Sequence, residues 1–407
     1  MTAARTALVI GGGVAGPVTA MALRKAGIEA TVYEAYASTA DGVGVTLTIA
    51  PNGLDALRIV DADEVVKGIG QPLNRGWMHD GYGEKIGMFP GLEGLPSSRG
   101  LWRDELCRVL HERALAQGVN VVYGKRLIDV EETPDAITAK FADGTTATAD
   151  VLVGCDGIRS TVRRLIDPNA PEADTTKLLN FGAAADIAVK GAEPDASYFV
   201  FGKRGFFGYW VQPDGRTAWF ANLPWDRPVP SSEARKTSKD EWMDRLREMY
   251  SEDTPAREIL ANTSADQLVV LGSMESMPKV PRWSRGRMVL VGDSCHAPSS
   301  SSGQGASQAI ESGIQLARCL RDLPDPQAAF AAYEALRRER VEKIIDRGAK
   351  TNSSKTMGTF AKAMMRVMMP VMMKTFLNPE KTLGPEQRYH IDWDAPVNTP
   401  APATARA

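Results

Sequence analysis

The chain has 407 residues, too many for one hydrophobic core and enough for two domains with extensions. Its net charge of −2 gives no basic footprint, which argues against a nucleic-acid partner. Its four cysteines form no CxxC pair or metal spacing, no stretch reaches the roughly 20 apolar residues of a membrane span, and the N-terminus has no signal-peptide pattern, so a soluble cytoplasmic protein with free thiols and no metal is expected.

Residues 6–10 (TALVI) read as a buried parallel strand running into Gly11-Gly12-Gly13-Val14-Ala15-Gly16. A helix follows and ends at Gly27, and a second strand ends at Glu34, 18 positions after Gly16. Each glycine of this G-x-G-x-x-G has a distinct job. Gly11 allows the tight turn, Gly13 lets the backbone approach a pyrophosphate, and Gly16 lets helix and strand pack closely. The free N–H groups near Val14 and Ala15 would face the phosphates, and Glu34 would accept hydrogen bonds from the adenosine ribose. The pattern fits NAD or FAD equally, while a carboxylate at Glu34 disfavours a 2′-phosphate there. Residues 42–57 read either as an ordinary loop and strand or as a segment crossing the bound dinucleotide.

Further on, Arg103 opens an amphipathic helix with Leu106, Val109, Leu110 and Ala114 on its apolar side. An arginine in a first helical turn opposes the macrodipole, so it is either merely solvated or it contacts a phosphate or ribityl chain. Leu127 begins a small antiparallel meander that leads to a strand at 151–153 and then Gly154-Cys155-Asp156-Gly157-Ile158-Arg159-Ser160. From about 181 to 268 the chain turns to aromatic-rich strands with a hairpin at Asp214-Gly215. Phe201, Phe207, Tyr209 and Trp219 are the candidates here for an apolar pocket taking a flat ring, against the simpler role of packing a core.

A third apolar run, 288–291, stops at Gly292-Asp293; Pro298 stiffens the loop, Gly303 and Gly305 loosen it, and helical spacing resumes from Ala306 to Leu320. After Pro324 and Pro326 a charged helix is expected, with RRERVEKIIDR as a solvated face and Val341, Ile344 and Ile345 inward. Residues 357–377 hold seven of the 16 methionines and read as adaptable packing, a lid over an apolar substrate, or a membrane-surface helix. The tail after Trp393 reads as flexible.

Three acid–glycine elements in this order resemble the class A flavoprotein monooxygenases, the para-hydroxybenzoate hydroxylase-like family. Gly11–Gly16 with Glu34 is similar to the family's first FAD fingerprint, 154–163 to its "DG" motif, and 290–293 with Gly303-x-Gly305 to its "GD" motif. Arg103 with Leu106 and Leu110 resembles its Arg-x-x-Leu helix, and Tyr333 with Arg337 and Arg338 its closing helix. The resemblance implies an α/β fold: a discontinuous Rossmann-like FAD-binding domain (1–73, 98–177, 264–322) and a mostly antiparallel β-sheet substrate domain (74–97, 178–263). C-terminal helices (323–390) and a flexible tail (391–407) complete the expected chain.

Carried over residue by residue, Asp293 holds the ribityl or pyrophosphate region of FAD and Arg103 contacts it from the side. The backbone at Gly305, Ala306 and Ser307 faces the pyrimidine edge, Pro298 lies near the ring where oxygen reacts, and Gly303 and Leu127 are further cofactor contacts. Asp156 with Arg159 supports FAD and transient NADH or NADPH docking. The implied reaction uses NAD(P)H and O2, through a flavin C4a-hydroperoxide, to hydroxylate an aromatic or polycyclic small molecule in a monomer or homodimer. Epoxidation, Baeyer–Villiger insertion and an oxygen-independent FAD reductase stand as alternatives. His79, Tyr209 and Arg204 are acid/base candidates without an assignment. The family's Gly-Asp-Ala-Ala-His is here Gly292-Asp293-Ser294-Cys295-His296, its Asp-Ala is Glu311-Ser312, and an arginine common after the Glu34 position is missing, which leaves the nicotinamide cofactor undetermined.

Overall fold

The computed structural model describes residues 3–38, 45–355 and 379–398, so the methionine-rich stretch 357–377 and residues 399–407 lie outside the described residues. One layer is a six-stranded sheet in the order Ser284–Arg285, Met288–Leu290, Val151–Gly154, Thr6–Ile10, Glu29–Tyr33, Asn120–Val122. All of its neighbours run parallel except the Ser284–Arg285 edge. Its central strands are short, continuous apolar runs because they are covered by helices such as Ala15–Lys25 and by the antiparallel sheet of Leu127–Glu132, Ile137–Phe141 and Thr146–Ala149, where Phe141 stacks on Tyr33 at 4.9 Å. The Ala15–Lys25 and Gly305–Asp322 helices pack against each other in this domain, and the Arg103–Ala116 helix joins them.

The second layer is a seven-stranded sheet in which Asp174–Ala185, Ala196–Phe201, Phe206–Val211 and Thr217–Pro224 are central and Arg75–Asp80 and Lys85–Pro90 form one edge. Val269–Ser276 forms the opposite edge by pairing with Asp174–Ala185. The chain therefore returns to the parallel sheet after Ser276, later than the boundary expected at 263/264. Strand pairing decides this: the Val269–Ser276 backbone bonds to the substrate sheet before the chain crosses over.

Alternation gives the seven-stranded sheet two unlike faces. Tyr198, Val200, Phe207, Tyr209, Trp219 and Phe181 form one core under the helices Lys239–Met249 and Ala256–Ala261. The opposite row, which includes Phe199, Phe206, Gly208, Trp210 and Phe220, turns towards the dinucleotide domain. A Cβ at Gly100 would lie 3.2 Å from Trp210, and one at Gly182 would lie 2.7 Å from Val45. A three-stranded sheet of Thr46–Ile49, Ser98–Trp102 and Gln71–Leu73 links the layers, and Trp102 donates to Gln212 at 2.8 Å.

The helix after Pro324 spans Pro326–Lys355. Its charged stretch departs from the expected solvated face, because Arg337 is fully buried and Arg340 largely so. Residues 391–398, expected in a flexible tail, lie along the Gly305–Asp322 helix. There Ile391 is buried, Arg318 donates to the Ala395 carbonyl at 2.7 Å, and the Arg321 guanidinium stacks 4.8 Å from the Trp393 ring.

Candidate active site

The parallel strands end side by side, so Gly11, Glu34, Gly154 and Gly292 meet at one edge of the sheet. In open α/β sheets this edge is where ligands bind. Gly11 has φ of +105°, and a Cβ there would sit 2.4 Å from the Cys155 carbonyl, so only glycine fits. At Gly16 a Cβ would fall 1.9 Å from the Gly11 carbonyl. Gly13 differs, since a Cβ there would meet no protein atom within 4 Å. The first two glycines are thus required by the fold itself, whereas Gly13 borders the open side that a pyrophosphate would approach.

Glu34 Oε2 accepts the Gly12 N–H at 2.6 Å and Oε1 accepts the Tyr36 N–H at 2.9 Å, which fixes the carboxylate beside the glycine loop. Val14 and Ala15 stand at the helix start, where N–H groups have no intrahelical partner. His111 was not legible as part of this loop. From the Arg103–Ala116 helix it bonds the Gly12 carbonyl through Nε2 and Tyr123 through Nδ1 at 3.1 Å, clamping the loop from beneath.

Asp293 follows Gly292, whose φ of 72° makes the sharp turn out of the strand. The residue is solvent-exposed at the strand end, although many protein atoms lie around its carboxyl. That desolvation raises its carboxyl above the ordinary range, and the Arg103 guanidinium pulls it back. Arg103 itself is exposed at the first position of its helix. Ser294 Oγ donates to the Gly154 carbonyl at 2.7 Å and Arg163 donates to the Ser294 carbonyl at 2.9 Å, so the second and third motifs are laced together.

Asp156 is partly buried and points at its own helix. It accepts the Thr161 and Val162 N–H groups at 2.7 and 3.1 Å, and the Ser160 hydroxyl. Arg159 pairs with Glu275 at 2.6 Å. Leu127 is buried in the core of the dinucleotide domain.

The loop Pro298–Gly303 carries a short turn, Ser300–Ser302, closed by Gly303 at φ 63°. Gly305 opens the next helix, placing Ala306 and Ser307 in its first turn. Ser307 Oγ accepts the Ala50 N–H at 3.1 Å, so its side chain serves the neighbouring Pro51–Arg58 helix and only its backbone is available to a ligand. Behind this turn lies a buried polar network that the sequence reading missed. Asn52 donates to Glu311 at 2.6 Å and to Gln304 at 3.0 Å, Arg340 holds Glu311 at 2.9 Å, and Arg337 donates to Glu311 and Gln308. His296 contacts Ser312 at 2.9 Å, and burial, assisted by Arg337, drops its imidazole to about 3, so it is neutral.

The expected aromatic pocket residues separate by face. Phe207, Tyr209 and Trp219 belong to the helix-covered core, where Phe207 and Trp219 stack at 5.3 Å and Trp219 donates to Thr263 at 3.0 Å. They line no cleft, because strand alternation turns them away from it. Phe201 is on the cleft row with Phe199, Phe206 and Phe220. His79 shares the covered face beside Tyr198, and Arg204 bonds the Glu248 carbonyl on the surface, so the acid/base candidates His79, Tyr209 and Arg204 do not reach the cleft.

The cradle therefore suits FAD in three respects: an open backbone at Gly13, a fixed acid at Glu34, and a second acid, Asp293, exposed at the same sheet edge. Comparison with known proteins agrees. Residues 4–348 match the family described as FAD binding domain. The chain is 30% identical over 369 residues to 6-hydroxynicotinate 3-monooxygenase of Pseudomonas fluorescens, covering 83% of this chain and 88% of that protein. It is 29% identical to aurachin C monooxygenase/isomerase of Stigmatella aurantiaca, covering 84% and 87%. The structure of Klebsiella pneumoniae HpxO with FAD and uric acid superposes with a TM-score of 0.81 at 22% identity, covering 94% of this chain and 96% of that one. The chain belongs to the FAD binding domain family of class A flavoprotein monooxygenases. It is a FAD-dependent monooxygenase.

Proposed function

We propose that this enzyme inserts one atom of O2 into an aromatic or polycyclic small molecule, as a hydroxylation, with NADH or NADPH as the source of electrons. The observation that carries the reading is the approach of the Pro298–Gly303 loop to the edge of the seven-stranded sheet whose central strands bear an aromatic row. Ser299 reaches Met274 of the Val269–Ser276 edge strand at 3.0 Å, and Phe199, Phe201, Phe206 and Phe220 form an apolar wall on the cleft side of that sheet. Such a wall suits a flat ring. Relatives named for hydroxynicotinate and urate as substrates support the same class.

Bound FAD supplies the redox and dioxygen chemistry. The chain does the rest. Backbone N–H groups at Gly13–Ala15 bind the pyrophosphate, Glu34 takes the ribose hydroxyls, and Asp293 accepts from the ribityl chain with Arg103 alongside. The N-terminal turn at Gly305–Ser307 directs N–H groups and a positive dipole end at the pyrimidine edge, favouring negative charge there. The aromatic wall and Pro298 exclude water. The test is turnover of a candidate aromatic under 18-O-labelled O2 with NADH or NADPH. One labelled oxygen per product, with reductant oxidation accelerated by substrate, is expected; unlabelled product refutes the proposal, and the position of the label separates hydroxylation from epoxidation or ring insertion.

A further inference from the structure

Lys355 ends the Pro326–Lys355 helix and is buried in the substrate sheet. Its Nζ donates to Asn222 Oδ1 at 2.6 Å and sits 4.3 Å over the Phe206 ring. Asn222 in turn donates to Asn180 on the adjacent strand. Asn180, Asn222, Phe206 and Phe201 form one cross-strand row on the cleft side. About one turn back along the helix Asn352 accepts from the Ser299 hydroxyl at 2.9 Å, and about two turns back Arg347 donates to the Ser302 carbonyl at 3.1 Å. The helix end therefore bridges the Pro298–Gly303 loop and the aromatic wall, and sets an amine against that wall.

Burying an ammonium is expensive unless an anion pairs with it. Here the partners among the described residues are one amide oxygen and one ring face. Burial lowers the amine to about 7, and among the described residues no carboxylate acts on it. The titratable group nearest from the helix-covered side is Tyr250. Its hydroxyl donates to the Phe206 and Asn222 carbonyls at 3.0 and 3.2 Å, and burial keeps it protonated. Hydrophobic residues would pack this position at lower cost, so the site has a use for the cation.

Resting on the proposed aromatic substrate, we infer that Lys355 is a specificity-determining residue that binds an acidic oxygen of that substrate, either a ring hydroxyl or a ring carboxylate. For a hydroxyl, the O–H proton moves to the neutral amine and leaves an oxyanion paired with an ammonium; no other group changes. For a carboxylate, the ammonium form binds directly. In both cases the ligand supplies a counter-charge that the described residues do not, and Asn222 aims the Nζ.

The test uses the full-length, FAD-loaded protein and four probes: 2-naphthol, naphthalene-2-carboxylate, and their uncharged counterparts 2-methoxynaphthalene and methyl 2-naphthoate. Binding is followed by perturbation of the flavin absorbance. At least one acidic probe should bind about tenfold or more tightly than its masked counterpart, a ratio worth about 1.4 kcal/mol. Lys355→Met and Lys355→Gln should erase that ratio while leaving the masked probe's affinity in place. A carboxylate should weaken as pH rises above about 7, whereas a hydroxyl, which brings its own proton, should hold. An unchanged ratio in both variants, or no acidic preference in the wild type, overturns the assignment. Flavin content separates this from failure of the functional reading: a protein purified without FAD sinks that reading, and a FAD-loaded protein without acidic preference sinks only the role of Lys355.

Discussion

Arg337 and Glu311 form an ion pair in which neither side chain is exposed to solvent. Burial alone would raise the Glu311 carboxyl, but Arg337 and Arg340 together outweigh it and hold the group below its usual value. The pair fastens the closing helix to the helix whose first turn faces the cleft, so the cofactor loop depends on residues well behind it. Replacing Glu311 by Gln strands two guanidinium groups and should destabilise the protein by about 3–5 kcal/mol at neutral pH, measured by urea denaturation. Because the folded carboxyl is lowered, its stabilisation is complete above the unfolded value near 4.3 and fades as pH falls below it. The difference between wild type and Glu311→Gln should therefore shrink on acidification; a constant difference from pH 7 to 3 would contradict the ion-pair account.

The glycines of the first loop should separate fold from cofactor. Gly16→Ala drives a methyl into the Gly11 carbonyl, 1.9 Å away, and should abolish soluble expression or cut the melting temperature sharply. Gly13→Ala meets nothing within 4 Å and should keep the melting temperature of the apoprotein while losing FAD affinity. Equal damage to apoprotein stability in both variants would show that Gly13 serves the fold too.

Asp293→Ala should purify with much less flavin, read as the ratio of absorbance at 450 to 280 nm. The residue is exposed and is not part of the buried core, so the far-UV circular dichroism should stay unchanged. Full flavin content in the variant would remove Asp293 from the cofactor site.

Lys355 also carries a stability signature. Its folded value of about 7 lies below the ordinary 10.5, so the native state opposes protonation. The penalty is full below about pH 7, declines between there and 10.5, and vanishes above. Lys355→Met should raise the melting temperature most at pH 6 and progressively less towards pH 10. A gain that is flat with pH would mean the amine is not buried in solution.

The thiols should be inert in the folded protein. Burial pushes Cys155 and Cys319 up to about 12, and Cys107 and Cys295 are buried as well. Thiol reagents at pH 8 should label none of the four before unfolding.

Much of the cofactor cradle was legible in the chain order. Gly11, Gly13, Gly16 and Glu34 fall within one strand–helix–strand unit, and Asp293 closes another apolar run, so short-range spacing carries the signal. The contacts that brace the cradle were not legible. Asn52 meets Gln304 across 252 positions and Lys355 meets Asn222 across 133. No local period reports such pairs, and an arginine in RRERVEKIIDR reads as solvated until a partner such as Glu311 is placed opposite it. The aromatic strands show the same limit. Their alternation was visible, yet it left open whether the row with Tyr209 or the row with Phe206 turned towards the cleft.

The sequence by itself pointed to a dinucleotide cofactor and to the order of the βα units, because a turn that admits only glycine and an acid at a strand end are local demands of backbone geometry. Only the tertiary structure decided which aromatic row is covered by helices and which is not, that Asp156 caps its own helix, and that a lysine from the C-terminal helix reaches the seven-stranded sheet. Those outcomes depend on how two sheets and a distant helix pack, and packing is set by summed burial across the molecule, which no single stretch of the chain contains.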